Sequence, residues 1–145
     1  MRYMSYFGER LSELIFEHNL TTEKLAAELG VSRPTVIRWT QNKLGISLHN
    51  AIRIADFFKC SLEFLIGRTE NTLDFALHPY QPFYERLRQV MNERGVTWYR
   101  IVKDGIVSNH NMSVWKNGAS PNLQSVVDIA EYFEYTLDQF VGREK

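Results

Sequence analysis

Apolar side chains recur every three or four positions along most of the chain, which is the spacing of one face of an α-helix. In the first half these positions are Phe7, Leu11, Leu14, Ile15, Leu25, Ala26, Leu29, Leu48, Ala51, Ile52, Ala55 and Phe58. In the second half they are Leu87, Val90, Met91, Ile101, Met112, Trp115, Val126, Val127, Ala130, Phe133, Leu137 and Phe140. Because strand-like runs of Val, Ile and Thr are absent, the pattern predicts an all-α protein with these residues in its core.

Polar residues and glycine divide the first half into five short helices. Thr21 or Thr22 provides the N-cap of the second helix, and Gly30 ends it because glycine accepts a left-handed backbone. Ser32 caps the third helix, and Pro34 is tolerated there because it lies in the first turn. Two short helices joined by a tight turn are therefore expected at the centre of this half.

The two halves of the sequence repeat each other imperfectly. At an offset of 76 residues the matching pairs include Phe7 with Phe83, Thr21 with Thr97, Val31 with Val107 and Trp39 with Trp115. Later the offset becomes 75, with Ile54 matching Ile129, Phe58 matching Phe133 and Gly67 matching Gly142. The slip falls in a loop of both copies, where an insertion costs least. The repeat predicts two domains of one fold in tandem, at residues 5–69 and 83–143, joined by a linker at residues 70–82.

Composition narrows the classes of function. The chain has 145 residues, 44 % of them apolar, and a formal net charge of zero. This balance argues against a protein that coats nucleic acid indiscriminately, although a small specific reader needs only a locally basic face. No apolar run is long enough for a membrane span, and the start of the sequence shows no secretory segment, so we expect a cytoplasmic protein.

Residues that would carry catalysis or bind a metal are sparse. The four histidines share no ligand spacing, and Cys60, the single cysteine, lies among apolar residues typical of a core. Glu9, Glu13 and Glu17 form a solvated stripe on one helix rather than a catalytic pair. With no glycine-rich phosphate loop either, we expect no enzyme activity, no cofactor and no metal.

The stretch TEKLAAELGVSRPTVIRW, which begins at Thr22, carries the most specific signal. Its small residue Ala26 suits a close helix crossing, and Gly30 suits the turn. Val36 and Trp39 would hold the third helix on the core, so that its opposite face stays outward. This register resembles the helix-turn-helix domain of the phage repressor and Cro type, the Xre family. The resemblance extends to both copies and implies two five-helix, lambda-repressor-like domains that bind double-stranded DNA as a transcriptional regulator, repressor-like in type.

The resemblance also implies which residues meet DNA in the first copy. Contacts to bases are expected from the start and outer face of the third helix, at Arg33, Pro34, Thr35, Ile37 and Arg38. Contacts to phosphates are expected from the start of the second helix and the turn after the third, at Thr22, Thr40, Gln41, Asn42 and Lys43. Such phosphate contacts set the register of the protein on the duplex, whereas base contacts read sequence.

The second copy departs from the family pattern. Val102 replaces the small residue, Gly105 falls one place early, and Ile106 stands where the glycine is expected. The expected base contacts are Asn109, His110, Asn111 and Ser113, and the expected phosphate contacts are Trp98, Lys116 and Asn117. Asparagine can bond bidentately to adenine, so reading is possible. The electrostatic attraction of the second copy to DNA would be weak, because it rests on Arg100, Lys103 and Lys116 alone.

Several alternatives stay open from the sequence. The second copy either reads DNA too, which would make the preferred site asymmetric, or serves as a protein-interaction or homodimerisation module. Trp39 and Trp115 are expected in the cores, whereas Trp98 either stacks on a DNA sugar or covers the first helix of its domain. A further set of aromatic residues either forms an interface or is ordinarily half-buried: Phe57, Tyr80, Tyr132 and Tyr135.

Overall fold

The computed structural model of the protein describes residues 2–43, 45–70 and 81–144, with side chains from residue 6 onward. All regular secondary structure in these ranges is α-helical: α1 (Arg2–Glu17), α2 (Thr22–Leu29), α3 (Arg33–Thr40), α4 (Leu48–Phe58), α5 (Leu62–Leu65), α6 (Phe83–Arg94), α7 (Trp98–Lys103), α8 (Asn109–Lys116), α9 (Leu123–Tyr132) and α10 (Leu137–Phe140). The all-α prediction is confirmed for these residues, none of whose helices is long and apolar enough to cross a membrane.

The helices group into two compact units, and the first contains α1, α2, α3, α5 and most of α4. In this unit α1 packs against α3 and α5, while α2 packs against α3. Its core includes residues that are at most 2 % exposed, among them Phe7, Leu11, Leu25, Val36 and Trp39. Burial of these side chains from three helices fixes α3 between α1 and α2, because removing apolar surface from water is the dominant favourable term in folding.

Short-range capping explains where α2 and α3 begin and end. Thr21 is the N-cap of α2, and its side-chain oxygen accepts from the Lys24 amide at 3.1 Å. Gly30 closes α2 in a left-handed conformation, with φ of 69°. Ser32 caps α3 by accepting from the Thr35 amide at 3.3 Å. The boundaries predicted at Gly30 and Ser32 are therefore confirmed, and the first of the two candidate threonines is the cap.

The second unit contains α6 to α10. Here α6 packs against α8, and α9 packs against α10. Its core includes residues that are at most 1 % exposed, among them Leu87, Val90, Ile101, Leu123 and Phe140. Asp138 and Arg143 are also buried, and they form an ion pair at the end of α10. A buried charge is costly unless it is paired, so this carboxylate and guanidinium depend on each other.

The segment that joins α7 to α8 differs from the one that joins α2 to α3. The left-handed residue is Gly105, with φ of 78°, and the Ile106 amide donates to the Ile101 carbonyl at 3.2 Å. The matching bond of the first unit, from Val31 to Ala26, lies one position later in the aligned repeat. α7 has six residues, whereas α2 has eight. Five residues separate α7 from α8, whereas three separate α2 from α3.

Most of the predicted core positions are buried. Cys60, Trp39 and Trp115 are 4 %, 2 % and 4 % exposed, as predicted. The prediction that Met112 is buried is wrong: it is half-buried, because α8 buries only Trp115 fully.

The surplus aromatic residues differ in exposure. Phe57 is exposed, while Tyr132 and Tyr135 are half-buried. Tyr80 and most of the predicted linker 70–82 lie outside the described residues. An interface at these residues stays a prediction, beside ordinary half-burial.

Candidate nucleic-acid interface

α3 presents one face to the core of the first unit and the opposite face to solvent. The buried face carries Val36 and Trp39. Of the positions predicted to face DNA bases, the exposed ones are Arg33, Pro34 and Arg38, and the half-buried ones are Thr35 and Ile37. Two arginines therefore stand on the solvent side of an anchored helix, whose width of about 10–12 Å matches the roughly 12 Å major groove of DNA.

The start of α3 is held by polar contacts on two sides. The Ser32 and Thr35 hydroxyls are 2.8 Å apart and hydrogen-bonded, in addition to the cap. The Arg33 Nε donates to the Thr22 hydroxyl at 3.3 Å. This bond uses one of the five guanidinium N–H donors, and the other four belong to the two Nη groups. Thr22, predicted to contact a phosphate, therefore also supports the neighbouring base-contact candidate.

The far end of α3 carries the other predicted phosphate contacts of this unit. Gln41 and Lys43 are exposed to solvent. The Thr40 hydroxyl donates to a carbonyl within α3 at 2.6 Å. Asn42 has a left-handed backbone, with φ of 57°, and its Oδ1 accepts from the Gly8 amide at 3.0 Å. The turn after α3 is thus attached to α1 through the side chain of Asn42.

Gly8 supports this site and was missed by the sequence reading. A Cβ at this position would lie 2.6 Å from the Thr40 carbonyl oxygen and 2.8 Å from the Trp39 carbonyl oxygen. No side chain fits there, so α1 meets the end of α3 backbone to backbone. A glycine inside an otherwise helical pattern is the signal that could have found this contact.

The second unit places α8 on its core through Trp115. Among the residues predicted to meet DNA, those that are exposed are Asn109, His110, Ser113, Lys116 and Asn117, and Asn111 is half-buried. Ser108 stands at the N-cap of α8, where its side chain makes no capping hydrogen bond, unlike Ser32 in the first unit. The start of α8 therefore lacks a contact that stabilises the start of α3.

Trp98 lies against α8. It is half-buried, and its ring centroid is 6.1 Å from that of Trp115, with the two rings at 86° to each other. Its indole Nε1 donates to the Asn109 Oδ1 at 3.2 Å. Thus Trp98, predicted as a phosphate contact, has its polar atom directed at a predicted base contact.

The positive charge available to the second unit is smaller than the sequence suggests. The Arg100 Nε donates to the Asp104 Oδ2 at 3.1 Å, and the Tyr132 hydroxyl donates to the same oxygen at 2.8 Å. The hydrogen bond from Tyr132, followed by that from Arg100, lowers the pKa of the Asp104 carboxyl. Because Asp104 pairs with Arg100, Lys103 and Lys116 remain as the cations expected to attract DNA.

Comparison with known proteins links the first unit to a family. A helix-turn-helix family model matches residues 12–65. Over 46 residues, 32 % of this chain, the sequence is 50 % identical to an uncharacterised HTH-type transcriptional regulator of Methanocaldococcus jannaschii. Over 80 residues, 55 % of this chain, it is 30 % identical to a protein of Thermococcus gammatolerans named as an HTH-type transcriptional regulatory protein. No solved structure matches the chain.

The extent of these matches differs. The aligned region covers 70 % of the Methanocaldococcus protein but only 25 % of the Thermococcus protein. The residues matched by the family model include the whole of α2, α3, α4 and α5. The anchored, outward-facing helix α3 therefore lies inside the region that the family model describes.

Proposed function

Because the chain belongs to the helix-turn-helix family, we propose that it is a sequence-specific, repressor-like transcriptional regulator that reads double-stranded DNA with α3. The observation that carries the proposal is the outward face of α3. Arg33 and Arg38 are exposed there, while Val36 and Trp39 hold the helix on the core. An arginine can donate two parallel hydrogen bonds to guanine O6 and N7, which discriminates against other bases by about 1–3 kcal/mol.

Residues at the start of α2 and around the end of α3 would set the register of α3 on the duplex. We assign phosphate contacts to Thr22 at the start of α2, and to Gln41 and Lys43 after α3, with Thr40 and Asn42 beside them. Lys43 is exposed and carries the formal charge of this group. Its contribution would fall as salt concentration rises, because neutralising a phosphate releases counterions.

The second unit would act as a second reader on the same chain. In this proposal residues 5–69 and 83–143 are tandem domains, and α8 offers Asn109, His110, Asn111 and Ser113 to base edges. Lys116 and Asn117 would contact the backbone. Since the exposed faces of α3 and α8 carry different side chains, the preferred site would be asymmetric. A selected site that proves to be a perfect palindrome would count against one chain occupying both halves.

The balanced charge of the second unit favours a second candidate function. Arg100 is paired with Asp104, and α8 itself carries a single formal cation, Lys116. A surface with so little net positive charge gains little from phosphates. In this alternative the first unit alone binds DNA, and the second unit docks a partner protein or a second copy of the chain.

Binding-site selection from random duplex DNA at two salt concentrations separates these functions. We expect wild type to enrich a defined motif, Arg38→Ala to lose part of it, and Asn109→Ala to lose a different part. A motif that depends on Arg38 alone would favour the docking alternative. No enriched motif, even at low salt, would refute sequence-specific reading.

A matched pair of lysine variants tests the phosphate assignment. Lys43→Gln should weaken binding about equally across sequences and reduce the salt slope by about one. Lys59→Gln removes the same charge from an exposed position after α4 and should leave the slope unchanged. Equal slopes for the two variants would contradict the assignment of Lys43.

A further inference from the structure

In each unit, the first residue of one helix is hydrogen-bonded to the first residue of the next: α2 to α3 in the first unit and α7 to α8 in the second. The direction of this bond is opposite in the two units. At the repeat offset of 76, Thr22 aligns with Trp98 and Arg33 aligns with Asn109. In the first unit Arg33 donates to Thr22 at 3.3 Å, whereas in the second unit Trp98 donates to Asn109 at 3.2 Å. The first residue of α8 is therefore an acceptor where the first residue of α3 is a donor.

The indole of Trp98 determines which way the Asn109 amide faces. Indole Nε1 is a donor only, so the atom that meets it must be the carbonyl oxygen Oδ1 and not the amide nitrogen. Asn109 is exposed, and with one of the two lone pairs of Oδ1 engaged by Trp98 it offers the two N–H donors of Nδ2 and one remaining lone pair.

Packing fixes the direction from which Trp98 donates. The Trp98 ring lies edge-on to Trp115, which is 4 % exposed. Trp115 in turn packs edge-on against Phe83, with 5.1 Å between the ring centroids. Packing against a buried aromatic neighbour restricts the rotamers of Trp98, and its hydrogen bond then favours one orientation of the Asn109 amide in the unbound protein.

This orientation decides which base Asn109 suits. Bidentate recognition of adenine needs Oδ1 to accept from N6 while Nδ2 donates to N7, so Oδ1 would have to accept from adenine and from the fixed Trp98 indole at once, which restricts how the amide can align with the base. The major-groove edge of guanine presents acceptors only, at N7 and O6, and thus matches a side chain that offers donors. Building on the DNA-reading function proposed above, we propose that Trp98 is a positioning residue that makes Asn109 prefer guanine over adenine. The sequence leaves an adenine contact possible for this residue type.

Binding-site selection with the full chain tests this pairing through Trp98→Phe. Phenylalanine keeps an aromatic ring beside Trp115 and removes the indole N–H. The base position that loses its preference in Asn109→Ala identifies what Asn109 reads. At that position wild type should prefer guanine over adenine by about tenfold, and Trp98→Phe should reduce this preference to below about threefold, because the released amide can rotate. Positions that depend on Arg38 should be unchanged and serve as the internal control.

A second variant covers the case in which Trp98→Phe does not fold. Asn109→Asp keeps an oxygen for the indole N–H but replaces the outward donor with an acceptor. Because cytosine N4 is a donor, the preference at the same position should move from guanine to cytosine. A preference for guanine retained in Asn109→Asp would overturn the inference.

The outcomes separate this inference from the function on which it rests. An adenine preference in wild type would overturn the inference, as would a guanine preference unchanged by Trp98→Phe, while the Arg38-dependent motif stands. A motif with no position sensitive to Asn109→Ala would also overturn it, because α8 would then not read DNA. Failure to enrich any motif at low salt would instead refute the proposed function itself.

Discussion

Replacing Gly8 with alanine probes the contact that holds the end of α3. The added Cβ would lie 2.6 Å from the Thr40 carbonyl oxygen and 2.7 Å from the Asn42 Oδ1, well inside ordinary van der Waals contact. Two of the atoms it meets are backbone oxygens, so relief requires α1 to move away from α3. That movement would also lengthen the 3.0 Å hydrogen bond from the Gly8 amide to Asn42.

Three effects set the size of the change, one favourable and two unfavourable. Alanine is favoured over glycine inside a helix by about 0.8–1 kcal/mol. Overpacking a close contact costs about 1–3 kcal/mol, and losing a hydrogen bond costs about 1 kcal/mol. The hydrogen-bond loss roughly cancels the gain in helix propensity, so Gly8→Ala should lower the free energy of unfolding by about 1–3 kcal/mol.

Thermal unfolding followed by far-ultraviolet circular dichroism measures this effect. For a unit of this size the Tm should fall by about 4 °C or more, because each 1 kcal/mol corresponds to roughly 4–8 °C. Ser12→Ala is the matched control, since Ser12 is exposed on the same helix and its replacement should change stability by less than about 0.5 kcal/mol. A Tm for Gly8→Ala equal to or above that of wild type would refute the steric reasoning, since helix propensity would then dominate.

Two further predictions concern charged groups of the first and second units. Asp138→Ala removes the carboxylate paired with the buried Arg143, and should lower the free energy of unfolding in urea by about 3–5 kcal/mol. Glu63→Ala, in the longer and less deeply buried pair at the matching helix, should cost less, and equal losses would contradict this ranking. Tyr132→Phe removes the hydrogen bond that lowers the pKa of Asp104, so that pKa should rise in a carbon-13 NMR titration. A carboxyl whose pKa is lower in the folded than in the unfolded protein stabilises the fold at pH values above its unfolded pKa, and this contribution is lost as pH falls through its folded pKa. The stability of the variant should therefore depend less on acid pH. An unchanged pKa of Asp104 would disprove the assignment.

Features that depend on neighbouring residues could be predicted from the sequence. The caps at Thr21 and Ser32 and the left-handed Gly30 act over three or four positions, so residue type alone indicates them. The alternation of apolar and polar residues likewise predicts that Trp39 and Trp115 are buried, since it reports the side of each helix that meets the core.

Contacts between helices could not be predicted in the same way. Gly8 and Asn42 are 34 positions apart, and Trp98 meets Asn109 across a turn whose length depends on Gly105. Such pairs follow from how helices dock, which the local pattern does not specify.

Charge counting fails for a related reason. It treats Arg100 as an isolated cation, although Asp104 lies four positions further along, at the C-cap of α7. The sequence spacing allows that pair, but the Tyr132 hydroxyl that completes it comes from 28 positions further along. The electrostatic character of the second unit is therefore a property of the folded surface.

The position of Trp98 also gives the protein an intrinsic fluorescence signal near Asn109. Its indole N–H is bonded to an exposed asparagine, and its ring lies 6.1 Å from that of Trp115. Indole emission responds to hydrogen bonding and to the polarity around the ring, so a ligand that engages Asn109 will change the fluorescence spectrum. Trp39 is 2 % exposed in the first unit and supplies a steady background. The DNA binding that we propose for the second unit should therefore be measurable in solution without attaching a dye.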